Sequence, residues 1–182
     1  MSERPGGRYG ISACALAWNM QNSVKNGRMG DKLDNQSVQI IFRTVNRPPD
    51  GGKTVSWEGP QCHHMESEAR GEYYQKGDTR YCLYEEQPEG WDAPYKVMLK
   101  WKEAVLERHI RGEKASHMVF EPGKCHRNFF YTPYGDLLLE TETRRLEITE
   151  KQDTIFVLLE YVIKQDGQNV SENRMEIRVQ GI

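Results

Sequence analysis

The sequence predicts an all-β fold, a single antiparallel β-barrel behind a flexible N-terminal extension. Three observations carry this prediction. Apolar residues alternate with period two from Ser37 onward, turn-forming residues recur every ~8–12 positions, and no helical period is sustained. Alternation puts successive side chains on opposite faces, so each strand offers one face to a shared core.

The chain divides at about residue 35. Residues 1–35 carry Arg4, Arg8, Lys25, Arg28 and Lys32 against Glu3, Asp31 and Asp34, with five glycines and a helical period that breaks within Ile11–Met20. This composition predicts a flexible tail, with the barrel domain spanning residues 36–182.

The strands follow in order. Val38, Ile40 and Phe42 alternate with Gln39, Ile41 and Arg43, and then Pro48, Pro49, Gly51 and Gly52 break the chain. Met65–Tyr74 is extended and turns through Gln75-Lys76-Gly77-Asp78 into Thr79–Glu86. After a loop with Pro88, Gly90 and Pro94, Tyr95, Val97, Leu99 and Trp101 share one face of the next strand. Val105–Arg111 turns at Gly112 into Lys114–Glu121, which Pro122-Gly123 ends. His126–Tyr134 turns at Gly135 into Asp136–Thr143, with Leu146–Thr149 as a short continuation. Thr154–Lys164 turns at Gln165-Asp166-Gly167 into Val170–Gln180, giving nine or ten strands. Ile155–Leu159 is apolar on both faces, which predicts a central strand covered on its outer side. Pro133 cannot donate to a ladder, so Tyr131–Tyr134 is predicted to lie on an edge or bulged strand.

Composition narrows the function. The 25 Lys and Arg nearly cancel the 27 Asp and Glu, leaving −2, whereas binding nucleic acid or an anionic membrane needs a basic excess. No run approaches the ~18 apolar residues of a membrane-spanning helix. Ala15-Leu16-Ala17 lies inside its apolar run rather than after it, so it does not read as a signal-peptide cleavage site. Cys14, Cys62, Cys82 and Cys125 are scattered, which suits reduced thiols; the expected location is the cytoplasm.

The blocks Gly71 with Tyr73-Tyr74, Tyr84-Glu85-Glu86, Arg108 with Gly112, Phe120-Glu121, Tyr131-Thr132-Pro133-Tyr134-Gly135, and Tyr161 with Ser171-Glu172-Asn173 together resemble the YwiB-like family of small bacterial proteins. The likeness covers residues 36–182. It implies a lipocalin-like (calycin-like) barrel and leaves the biochemical function open.

Arg108 is the most informative single residue. It shares a strand face with Leu106 and Ile110, and if that face is interior its guanidinium needs a carboxylate. Glu85 is the expected partner. Arg108 then either anchors an anionic ligand through its forked donors or ties two strands together as a structural ion pair. Tyr84, Tyr131, Tyr134 and Tyr161 complete the candidate ligand-binding set, either lining an amphipathic pocket or filling the core. Cys62-His63-His64 and Cys125-His126 hold metal-ligand residue types without metal-site spacing, so neither a metal nor a cofactor is assigned. No nucleophile elbow, P-loop or dinucleotide fingerprint occurs, so no catalytic residue is assigned. The preferred reading is a non-enzymatic barrel for a small anionic or amphipathic molecule. The alternative is a structural or protein-interaction module with a side-chain-filled interior, and the expected macromolecular partner is a second copy of the chain.

Overall fold

The computed structural model describes residues 36–49, 56–87, 92–112, 115–132 and 135–182, with no account of the side chains of 131 and 132. The predicted tail, Pro133 and Tyr134 lie outside these residues. Ten antiparallel strands form one sheet: β1 (Gln36–Arg47), β2 (His63–Lys76), β3 (Thr79–Glu86), β4 (Tyr95–Lys102), β5 (Val105–Arg111), β6 (Ser116–Phe120), β7 (Cys125–Thr132), β8 (Gly135–Lys151), β9 (Thr154–Gln165) and β10 (Gln168–Gly181). No helix occurs among the described residues.

The strand order is β6-β5-β4-β3-β2-β1-β10-β9-β8-β7, so every neighbour is a hairpin partner except β1 and β10, which pair the two ends of the domain. The curled sheet is a nearly closed barrel. Its two terminal strands are linked by the Glu121–Lys124 turn, where the Gly123 amide donates to the Thr143 carbonyl of β8 at 2.9 Å and the Thr143 amide donates to the Lys124 carbonyl at 3.0 Å. The Ser116 hydroxyl of β6 also donates to the Phe129 carbonyl of β7 at 3.0 Å. β7 is thus a terminal strand of the order, as the proline predicted for the segment around Tyr131.

One parity of each strand faces inward. Val38, Ile40 and Phe42 of β1 meet Val97, Leu99 and Trp101 of β4, Leu106 of β5, and Val157, Leu159 and Tyr161 of β9 in a single buried cluster. Hydrophobic burial on this scale is the main favourable term in the fold. Gly71 serves close packing, because a side chain there would run into the Leu83 carbonyl of β3.

Two expectations change. Asp136–Thr143 and Leu146–Thr149 are one long strand, β8, whose register against β9 shifts between Thr143 and Arg145. A bulge absorbs the extra residue without ending the strand. Ile155–Leu159 is central as expected, between β8 and β10, but its outer side is not covered: Phe156 is 42% exposed, with the Arg178 guanidinium 5.8 Å from its ring centre. In an antiparallel barrel the outer face can meet water, so apolar residues on both faces do not require a second layer.

Candidate functional site

Strands β3, β4 and β5 carry different chemistry on their two faces. The inner face brings together Tyr84 and Glu86 of β3, Tyr95 at the start of β4, and Arg108 of β5. The Arg108 Nη2 donates to Glu86 Oε2 at 2.6 Å, and the Tyr95 hydroxyl donates to the same oxygen at 3.2 Å. The Arg108 side chain is only 14% exposed and that of Glu86 only 2%. Burial disfavours the Arg108 charge, but the Glu86 carboxylate more than offsets this and raises its pKa above the ordinary value. Burial pushes the Tyr95 phenol up to about 12 and the Tyr84 phenol well above its usual range, with Glu86 adding to both. The cluster is a charged pair clasped by two neutral phenols.

The expected Arg108–Glu85 pair is therefore replaced by Arg108–Glu86. Glu85 shares its face with Tyr81 and Leu83, and that face points outward, leaving Glu85 exposed. The inward parity of β3 belongs to Cys82, Tyr84 and Glu86, all buried. Tyr161 is also interior, but it serves another part of the core, with its ring 5.1 Å from that of Phe120. Tyr131 lies in β7, with its side chain outside the description, and Tyr134 lies outside the described residues altogether. The candidate set is thus divided, and Tyr95 and Glu86, which complete the interior cluster, were missing from it.

On the outer side, these strands together with β2 form a groove of about 670 Å³, to which β2 contributes Glu68, Arg70 and Glu72. Two cross-strand rows build it. In one, Glu85 pairs with Lys96 and Lys96 with Arg111. In the other, Glu72 pairs with Leu83 and Leu83 with Met98. Leu83 and Met98 give the groove an apolar floor; its charged lining is balanced, Arg70, Lys96 and Arg111 against Glu68, Glu72 and Glu85, with Lys96 and Arg111 adjacent in register. The Arg111 guanidinium donates to Met98 Sδ at 3.9 Å, and among the described residues neither Lys96 nor Arg111 has a carboxylate within ion-pair distance. Sequence parity could have exposed this face, because Lys96 and Lys100 alternate with the buried Val97, Leu99 and Trp101, with Met98 buried between the two lysines.

Cys62, Cys82 and Cys125 are free thiols, and burial pushes Cys82 up to about 12, which makes it inert at neutral pH. No helix among the described residues is long and apolar enough to cross a membrane.

The family model described as "Domain of unknown function (DUF1934)" matches residues 52–177. Among solved structures, the chain is similar to the crystal structure of ywiB protein from Bacillus subtilis, with a TM-score of 0.65 and 18% identity over 83% of this chain and 95% of that one. This likeness shows the fold. No curated protein matches the chain.

Proposed function

We propose a function from the premise that this chain belongs to the DUF1934 family: it is a non-enzymatic barrel that binds a small amphipathic anion in the outer groove over β2–β5, at the end where Lys96 and Arg111 are neighbours. The carrying observation is the conjunction of the Leu83–Met98 floor with Lys96 and Arg111 at its side. A volume of about 670 Å³ falls within the ~300–1,000 Å³ of small-molecule sites. The floor takes an apolar body, and Arg111 beside Lys96 takes a carboxylate, sulfonate or phosphate through charge-assisted hydrogen bonds. The interior cation is less suited to the task, because Glu86 already neutralises Arg108.

Fluorescence titration with anilinonaphthalene sulfonate, an amphipathic anion, tests the reading. Saturable binding is expected, weakened at least ~tenfold by Arg111→Glu and by Met98→Asp, each of which removes about 1.4 kcal/mol or more. Equal binding by the wild type and both variants would sink the groove as the site.

A second reading rests on a different observation. Phe129 and Leu138 are paired across β7 and β8 and are 58% and 49% exposed, an apolar outer patch suited to a second copy of the chain. Sedimentation of the wild type beside Phe129→Glu tests it, with a dimer that dissociates in the variant as the expected result.

A further inference from the structure

The hairpin of β5 and β6 gathers three ligand-type side chains on its outer face. Glu107 and His109 are two apart on β5 and so project on one side, and His117 of β6 is the cross-strand partner of His109. Both imidazoles aim at one atom: the Nε2 of His109 lies 3.0 Å, and that of His117 2.9 Å, from Glu107 Oε2. The rings stack with centres 4.0 Å apart and planes at 15°. The three donor atoms lie within 4.8 Å of one another. We propose that Glu107, His109 and His117 form a metal site for a divalent transition ion of the zinc class.

The donor chemistry supports this assignment. Two imidazoles and a carboxylate are a zinc donor set with Zn–N of ~2.0–2.1 Å and Zn–O of ~2.0–2.2 Å, and tetrahedral geometry then puts the ligand atoms ~3.3 Å apart. The observed 2.9 and 3.0 Å spacings open to that value by a few tenths of an ångström. The ligands are set by two hydrogen-bonded strands, so the ion meets a site already assembled. Three protein ligands leave a fourth position open, and half-exposed His117 gives solvent access to it.

One further neighbour gives the proposal a signature. Lys100 of β4 holds the other carboxylate oxygen, Glu107 Oε1, at 2.6 Å. Its ammonium orients the carboxylate but also repels an arriving cation at short range. Removing it should therefore tighten metal binding, an effect that a plain hydrogen-bond network does not produce. The site borders the groove, since His109 pairs with Met98, but it stands whether or not the groove binds an anion.

Zinc titration calorimetry on the full chain near pH 7.5, together with cobalt(II) absorption, tests the site. One zinc per chain and tetrahedral cobalt bands are expected. His109→Ala and His117→Ala should each weaken zinc at least ~tenfold, because each leaves the ion with only two protein ligands. Lys100→Met should tighten it. Circular dichroism confirms that each variant is folded, and partly exposed His117 gives the variant least able to disturb the core. Undiminished zinc binding by the double His109→Ala/His117→Ala variant would assign the metal to other histidines or cysteines and overturn the proposal, as would the absence of zinc binding by the wild type.

Discussion

Glu107 and Arg108 are consecutive in β5, yet they belong to two kinds of electrostatics. Arg108 turns into the barrel and meets Glu86 at 2.6 Å under almost complete burial. Glu107 turns outward and accepts from Lys100, His109 and His117 at 2.6 to 3.0 Å on a face that water reaches. The distances are alike, so the difference lies in what happens when a partner is lost. Inside, a widowed charge stays buried; outside, water takes the partner's place. A short ion pair on β5 is therefore informative about stability only once its side of the sheet is known.

The largest expected effect tests the interior half of this contrast. Arg108→Met or Glu86→Gln should each destabilise by ~3–5 kcal/mol in urea unfolding, and the double variant should recover part of the loss. Glu85→Gln, one residue away on the outer face, should stay within about 0.5 kcal/mol. Comparable losses at Glu85 and Glu86 would reverse the assignment of faces along β3.

A second variant sharpens the comparison by separating burial from side of sheet. Glu172 pairs with Arg47 across β10 and β1 with the parity opposite to buried Asn46 and Asn173, yet the side chains of Arg47 and Glu172 are only 7% and 3% exposed. The chain after β1 brings Trp57 over the Arg47 guanidinium at 4.2 Å, and Arg144 donates to the second Glu172 oxygen at 3.1 Å. If burial decides, Glu172→Gln should cost ~2–4 kcal/mol by thermal or urea unfolding, far more than an exposed pair. A change under 0.5 kcal/mol would show that the side of the sheet matters and burial does not.

Acid titration of stability reads the outer half of the contrast. Partial burial raises the Glu107 pKa, but hydrogen bonds from Lys100, His109 and His117 outweigh it and bring the carboxyl from 4.5 to about 2. A carboxyl depressed on folding adds stability that is fully present above the unfolded value and is lost as pH falls through the folded one. The loss should therefore run from about pH 4.5 down to about 2. Glu107→Gln should flatten that limb and cost ~1 kcal/mol at pH 7, the scale of a partly solvated network. The smallest effect is expected at Lys100→Met, about 0.5 kcal/mol at neutral pH, since removing one donor leaves Glu107 with both imidazoles.

Much of the fold was legible because its signals are local. Thr79–Glu86 and Val105–Arg111 were read from the sequence to the residue, since period-two runs ending in turn residues mark both ends of a strand. Hairpin chemistry also contained the metal-type cluster, in positions that face one another rather than follow one another in the chain. A turn at Gly112 places His117 near His109, and parity adds Glu107, whereas adjacent Cys-His letters in the chain point to opposite faces of a strand. In antiparallel sheets, ligands meet through register, and their spacing in the chain depends on the length of the turn.

The sequence by itself determined the strands, their turns, and which residues share a face: Arg108 with Leu106 and Ile110, and Glu85 with Tyr81 and Leu83. Only the tertiary structure decided which of those faces is inside. Along β3 both parities hold apolar side chains, Tyr81 and Leu83 on one and Cys82 and Tyr84 on the other, so local hydrophobicity does not separate them. The choice comes from closure of the barrel, in which β4 brings Leu99 against Cys82 and Val97 against Tyr84 while β1 and β10 join the ends of the domain. Inside and outside are properties of the closed sheet. A strand carries only its alternation, and the sense of that alternation is set by partners far away in the chain.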